Sequence, residues 1–399
     1  IIIDEVHRAG APSYQTIMNY FRPAFWLGMT ASPERTDDFN IFSLFDHNIA
    51  YEIRLQTALG QNLLCPFHYF GITDLAVDQK HLSDLSNFQF LTSDERVKHI
   101  LERAEYFGYS GSRVKGLIFC SSLDECEDLS KKFNAKGYQT LALSGDNTQD
   151  DREKAIERLT QERRDSSALD YILTVDIFNE GVDIPEINQV LLLRPTQSPI
   201  IFLQQLGRGL RKADGKDYVI VLDFIANYKE NYLSPVALSG DRSYDKDTLR
   251  RFVAVEHRLI PGSSTIEFDS ITKEKIFEAI DRAQTQSKKL LREAYTALKF
   301  KLGHRPTLQE FEDNNSIDVI KYFDVFGSYY SFLKDSDTEF KDRMSLEAET
   351  VLTYFSSKLG RAQRISEVLV LEDLLAGQGR LMHRLATSLS TTYHRSLTQ

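Results

Sequence analysis

Cysteine is scarce. Cys65, Cys120 and Cys126 are the only three in 399 residues, too few and too irregularly spaced for a disulfide framework or a zinc site. That usage predicts a reducing cytoplasm. No apolar run approaches the roughly 20 residues needed to cross a bilayer, and no stretch reads as a secretory leader; Ile1 to Ile3 is apolar but stops at Asp4 and Glu5. No membrane partner is expected. A basic surplus is missing too: 48 Lys and Arg stand against 58 Asp and Glu, a net charge of -10. This excludes a basic coat protein of nucleic acid but not a motor, which needs a basic track on one face only. Hydrophobic residues at 42% and charged residues at 27% describe a globular chain long enough for two or three domains. There is no initiator Met, the chain opens inside an apolar run, and Leu381 to Gln399 trails off in polar residues. Both ends read as open, with residues expected upstream.

What is present alternates strand and helix as a parallel α/β sheet does. Ile1 to Ile3 predicts a strand, and Trp26 to Thr30 a second apolar run ending in a turn. Residues 52–76 read as a crossing into a second unit. There, strands are predicted over Val114–Cys120, Thr140–Leu143, Asp170–Val175, Gln189–Leu193 and Tyr218–Leu222, and helices after Ser122, over Asp151–Leu159 and over Ile200–Leu210. Ser122 with Glu125 three residues on predicts a capping box. The crossover lengths suit right-handed βαβ units and a doubly wound sheet. Residues 233–270 are loop-rich, with Pro235, Gly240, Pro261 and Gly262, and read as a linker. From residue 271 the apolar spacing turns helical, and Thr307 with Glu310 predicts another capped start. A faint echo of Lys301-Leu302-Gly303 in Lys358-Leu359-Gly360 hints at a repeat.

Several short motifs carry chemistry. Asp4-Glu5-Val6-His7 follows a strand, and a carboxylate pair at a strand's C-terminal end is what nucleotide hydrolysis needs at the crevice of an open α/β sheet. Alone, such a pair is more often a polar loop start. Thr30-Ala31-Ser32 follows the next strand; Leu117-Ile118-Phe119-Cys120 precedes Ser121-Ser122; Thr174-Val175-Asp176 leads through Glu180-Gly181 to Asp183-Ile184-Pro185; and Gln204-Gln205-Leu206-Gly207-Arg208-Gly209-Leu210-Arg211 lies on or after a helix. The spacing of three predicts Arg208 and Arg211 on one face of a helix, or of the turn beginning one. Gly207 inside an apolar helix costs roughly 1 kcal/mol and so calls for a reason.

In order and spacing these pieces resemble motifs II to VI of superfamily 2 helicases, nearest the type III restriction-enzyme-like and DNA-repair translocase branch and less like the RNA-remodelling DEAD-box branch. The resemblance covers roughly residues 1 to 230. It implies RecA-like parallel-sheet lobes: 1–58 as the end of a first lobe, 59–232 as a second, a linker over 233–270, and an α-helical accessory domain over 271–399. It implies ATP and Mg²⁺ as cofactors. Asp4 would coordinate the metal, Glu5 would be the general base for water attack on the γ-phosphate, and His7 would couple the nucleotide site to the second lobe. Thr30 and Ser32 would bridge towards nucleic acid. Gly181 and Asp183 would sense the nucleotide together with Gln204, and Arg208 and Arg211 would supply the arginine finger. Arg35, Ser121, Ser122, Ser144, Gly145 and Thr174 are the candidates to track phosphates.

One motif of the family is missing from residues 1–399. The phosphate-cradling GxxxxGK[ST] is absent, and Gly215-Lys216 is followed by Asp217 without the upstream glycine. The resemblance places that loop before the DEVH box, so residues 1–399 by themselves are expected to hydrolyse nothing. DNA is the expected partner, with RNA as the other substrate the resemblance admits and a nuclease fused or associated in the intact protein. A regulatory or binding module that keeps the motor fold without turnover is the alternative class. In the tail, Lys288, Lys289 and Arg292 read as a solvated face, and Tyr322, Phe323, Phe326, Tyr329, Tyr330 and Phe332 as core.

Overall fold

The computed structural model describes the chain except for residues 31–38, 75–91, 163–164, 166, 176–183, 197, 227–229, 242, 256–257, 284–286, 362–364, 376, 378–380 and 394–399. Two compact units result, Ile1–Gln284 and Thr285–Gln399.

The first unit begins with a small sheet. β1 (Ile2–Ile3) and β2 (Leu27–Gly28) pair in parallel across α1 (Pro12–Tyr20). Ile3, Val6, Ala9 and Ile41 are buried beneath them against Trp26, Phe39 and Phe45. Next comes α2 (Leu55–Gly60), followed by an eight-stranded sheet. In chain order its parts are β3 (Phe67–Thr73), α3 (Asp94–Phe107), β4 (Gly116–Phe119), α4 (Leu123–Ala135), β5 (Thr140–Leu143), α5 (Gln149–Thr160), β6 (Tyr171–Thr174), β7 (Gln189–Leu192), α6 (Pro199–Gly209) and β8 (Val219–Ile225). They are followed by α7 (Leu233–Ser239), α8 (Lys246–Ala254), β9 (Arg258–Ile260), β10 (Ser264–Phe268) and α9 (Ser270–Arg282).

The strand order is β5-β6-β4-β7-β8-β3-β10-β9, parallel throughout except for β9 on β10. Strands buried on both faces read as continuous apolar runs, and successive residues feed opposite layers. Leu117 and Phe119 of β4 join Phe202 and Leu206 of α6 on one face; Ile118 and Cys120 join Ile100 of α3 and Leu129 of α4 on the other. The expected RecA-like parallel sheet followed by a helical region is therefore the architecture found.

Three expectations need correction. Residues 233–270 are not a linker: they hold α7, α8 and a hairpin, and β10 pairs in parallel with β3 from Thr265↔His68 to Phe268↔Gly71. Their prolines and glycines sit at turns and helix ends, where they punctuate structure rather than prevent it. Helix α9, expected in the accessory domain, packs in the first unit, where Ile276 and Ile280 enter the sheet's core. Its N-cap Asp269 accepts from Thr73 N at 2.6 Å and from Thr272 N at 2.7 Å. The capping box at Ser122 is half formed. Ser122 Oγ accepts from Glu125 N at 3.2 Å, but the Glu125 carboxylate turns inward and takes Ser121 N at 2.7 Å.

Glu125 turns because Arg96 holds it. Arg96 is 0% exposed. Its Nη1 donates to Glu125 Oε1 at 2.9 Å, its Nε to Asp74 Oδ2 at 3.0 Å, and its Nη2 to Leu193 O at 3.2 Å. One guanidinium thus binds the chain just beyond β3 and β7 and the first turn of α4, and the planar donor fork suits that geometry.

The second unit is helical: α10 (Lys288–Leu302), α11 (Leu308–Asp313), α12 (Ile320–Phe326), α13 (Tyr329–Ser336), α14 (Leu346–Leu359), α15 (Ile365–Leu375) and α16 (Leu381–Tyr393). Thr307 and Glu310 form the full capping box. Phe311, Tyr322 and Phe332 are its buried centre, and Tyr322 Oη reaches Leu291 O at 2.9 Å, so these aromatics are core. Arg292 pairs with Asp335 at 2.8 Å, and Lys288 lies over the Phe326 ring at 5.2 Å. The two Lys-Leu-Gly echoes each end a helix, but with different caps: Gly303 has φ 75 and Gly360 has φ -60.

Removing the Arg96 guanidinium would strand two buried carboxylates, and breaking a buried pair from one side costs about 3–5 kcal/mol. Arg96→Ala is expected to lose at least that much stability in urea denaturation. A loss under about 1 kcal/mol would show that the network contributes little.

Candidate functional site

Two groups of the expected site residues lie at strand ends, on different sheets. The first surrounds the DEVH box. Chain bonds from Leu27 N to Ile1 O, Met29 N to Ile3 O and Val6 N to Met29 O, each 2.9 Å, set the β1 and β2 ends side by side. Beyond Ile3 the backbone turns sharply: Glu5 adopts a left-handed conformation, φ 50 and ψ 43, before a 3₁₀ turn over Val6–Arg8. A non-glycine residue there carries strain on the order of 1 kcal/mol. Asp4 Oδ1 takes up the Glu5 N–H at 2.9 Å.

The turn drives His7 inward, to 5% exposure, while Asp4 faces solvent and Glu5 is half-buried. His7 Nδ1 lies 2.9 Å from Thr30 Oγ1 and 3.3 Å from Glu5 Oε2. One ring nitrogen therefore stands between the carboxylate of one motif and the hydroxyl of the next. Ser32 and Arg35 lie outside the described residues.

The second group sits on the large sheet. Ser121 and Ser122 follow β4, and Thr174 ends β6. Ser122 and Thr174, with Ser144, Gly145 and Leu143, line a cleft of about 390 Å³ at the carboxyl edge of the sheet. Ser121 Oγ and Thr174 Oγ1 are buried and have no hydrogen-bond partner among the described residues. A buried hydroxyl left unsatisfied costs about 1–3 kcal/mol, so these two are conspicuous in a fold that satisfies Arg96 completely. They stand beside the N-terminus of α4, whose first-turn amides favour an anion.

Helix α6 supplies the arginines, and here the geometry differs from the helical-face expectation. Arg208 is in the last turn, half-buried, its Nε donating to Gln204 O at 3.3 Å. The helix ends at Gly209, closed by Leu210 N on Gly207 O at 3.2 Å, and Arg211 lies beyond it, exposed. The two side chains therefore leave from different backbone geometries, one helical and one in the turn. Gly181 and Asp183 lie outside the described residues. Among the described residues no group of three or more His, Cys, Asp or Glu could hold a metal. A single carboxylate such as Asp4, completed by phosphates and water, is the way Mg²⁺ is commonly bound in nucleotide sites, and the exposed Asp4 side chain fits that role.

Sequence reading passed over Arg96 and Asp74 and took Glu125 only as the partner in a capping box, whereas together they orient the Ser121 turn. An Asp-Glu start after Ser93 with Val97, Ile100, Leu101 and Ala104 at helical spacing would have revealed α3, but not that Arg96 points inward. It also assigned a reason to the wrong glycine. A Cβ on Gly207 would meet nothing within 4 Å, whereas one on Gly209 would lie 2.9 Å from Val219 Cγ1 and 3.2 Å from Val190 Cγ2. Gly209 lets α6 lie close on the sheet. Gly207→Ala is therefore expected to stabilise the fold by up to about 1 kcal/mol, and Gly209→Ala to destabilise it; equal effects in urea denaturation would contradict the packing just described.

Comparison with known proteins agrees with this order of elements. Residues 1–35 match the family of the type III restriction enzyme res subunit, residues 95–213 the helicase conserved C-terminal domain, and residues 291–399 a domain of unknown function, DUF8090. IRC3 of Saccharomyces cerevisiae, assigned as an ATP-dependent helicase, is 26% identical over 67% of this chain and 40% of its own length. The EcoAI type I restriction endonuclease subunit of Escherichia coli is 24% identical over 56% of this chain and 31% of its own. The solved type ISP restriction-modification enzyme LlaBIII bound to DNA aligns with 99% of this chain and 35% of its own at 14% identity and a TM-score of 0.47. The chain spans less than half the length of these relatives. With the DEVH box and the second-lobe motifs each falling inside a matched stretch, in the order found in sequence, the chain is similar to superfamily 2 helicases of the type III restriction-like branch.

Proposed function

We propose that the protein is an ATP-dependent DNA helicase or translocase, converting ATP hydrolysis between two RecA-like lobes into movement along nucleic acid. The observation that carries this reading is the Glu5–His7–Thr30 contact, which ties the hydrolytic carboxylate to the next motif through one buried imidazole. Asp4 would hold Mg²⁺, which when bound neutralises charge on the phosphates and orients them. Glu5 accepts a proton from the attacking water. His7 relays the displacement of Glu5 to Thr30, and Ser32 and Arg35 extend that path towards nucleic acid. Gly181, Asp183 and Gln204 are assigned to sensing the nucleotide, and Arg208 and Arg211 to offsetting the charge developing on the γ-phosphate. The unpartnered Ser121 and Thr174 hydroxyls at the α4 N-terminus suit a phosphate of the tracked strand.

DNA is favoured over RNA because a restriction endonuclease subunit is among the relatives, and the same relative supports a nuclease fused to or associated with the intact protein. Buried free thiols at Cys65, Cys120 and Cys126 suit a cytoplasmic setting; among the described residues no helix is long and apolar enough to cross a membrane.

In the full-length protein, Glu5→Gln is expected to abolish ATP turnover while ATP still binds, and turnover should rise with duplex or single-stranded DNA more than with RNA. Unchanged turnover in that variant overturns the general-base role, and greater stimulation by RNA overturns the substrate. Residues 1–399 alone, which contain no GxxxxGK[ST], are expected to release no phosphate from ATP; measurable release would mean that the β- and γ-phosphates are held by other groups in this chain.

A further inference from the structure

Between α6 and β8 the chain turns at Gly215, φ 74, and presents Lys216. Its Nζ donates three hydrogen bonds, each to a main-chain carbonyl: Pro185 O at 2.5 Å, Gly209 O at 2.8 Å and Arg211 O at 2.6 Å. An ammonium has three donors, and all three are used. Two of the carbonyls belong to the end of α6 and the turn after it, immediately beside Arg208 and at Arg211 itself. The third is at Pro185, in the turn that precedes β7. A helix C-terminus presents partial negative charge, so a cation is held there by the backbone field as well as by the individual bonds. Cys65 N takes the intervening Leu210 O at 2.8 Å, so the backbone between the two arginines is held by fixed donors along its length.

We infer that Lys216 is a positioning residue for ATP turnover: it joins the turn at Pro185 to the arginine-bearing end of α6 and sets where Arg208 and Arg211 stand. The inference rests on the role given to those arginines above. Lys216 touches no reacting group and acts through the backbone of residues that do. Because its bonds go to two separate motifs, a shift of one is felt by the other through this one side chain.

The contact is also sensitive to pH. Burial pulls the Lys216 ammonium down to about 8. Facing it are Glu186, from the turn after Pro185, and the Cys65 thiol, which burial pushes up; Lys212 and Asp217 flank it on its own turn. Below that pH three N–H groups serve three carbonyls. Above it a neutral amine has two, and one carbonyl loses its donor, so the anchoring weakens as pH rises through about 8.

The test is steady-state ATP hydrolysis by the full-length protein at saturating DNA, from about pH 6.5 to 9.5. Lys216→Met is expected to lower kcat about tenfold or more at neutral pH, with KM for ATP changed less than about twofold, the pattern of a group that acts in the transition state. Lys216→Arg, always charged, is expected to recover most of kcat and to lose the decline above pH 8, while Cys65→Ser keeps that decline. Wild-type kcat and pH profile in Lys216→Met overturn the inference. Should that variant fail to show a cooperative melt, Lys216→Arg decides: a retained alkaline decline overturns the inference, and its loss supports it. Arg208→Ala and Arg211→Ala are measured alongside. If both keep full turnover, the arginine role fails; if both lose turnover while Lys216→Met does not, only the positioning role fails.

Discussion

The second lobe is organised around a buried charge. Arg96, with no exposure to solvent, collects Asp74, Glu125 and the Leu193 carbonyl at the carboxyl edge of the sheet. Burying one cation and two anions is expensive unless every donor and acceptor is used. Burial pushes the Glu125 carboxyl up, and the Arg96 charge beside it pulls the other way. The arrangement fixes what comes next in the chain: Glu125, held from behind, takes the Ser121 amide, and the Ser121-Ser122 turn is thereby set at the mouth of the cleft it shares with Thr174. A network that specifies one geometry explains why charged groups are tolerated where an apolar core would be simpler.

A motor needs parts that are rigid and parts that respond. The rigid parts are the two apolar layers on either face of the sheet and the hairpin that lengthens it beyond β3. In the proposed motor the responsive parts are single polar contacts: His7 between Glu5 and Thr30, and Lys216 between Pro185 and the end of α6. Each joins two motifs through one side chain; the His7 contact lies at the carboxyl ends of β1 and β2, where parallel α/β sheets gather their ligands, and the Lys216 contact lies at the start of β8. The left-handed Glu5 fits the same pattern, since strain is retained in folded proteins chiefly where function requires a particular direction for a side chain.

The order of strands and helices, the RecA-like class and the helicase kinship were legible in the residues because they rest on periodicity and on ordered motifs, both local properties of a sequence. β5 was legible to the residue, and the aromatic tail was correctly core. Strand β3 and the hairpin β9–β10 were not: their residues carry no period that separates a strand from a loop, and their identity comes from pairing with partners about 200 residues away, such as Thr265 on His68. What the sequence alone determined is which chemical groups exist and in what order: Asp4, Glu5, His7, Thr30, Thr174, Arg208 and Arg211. Which way each side chain points was decided only by the tertiary structure. Whether a polar group is orphaned like Thr174, locked like Arg96 or shared like His7 depends on neighbours that meet it through space, and burial makes those neighbours matter.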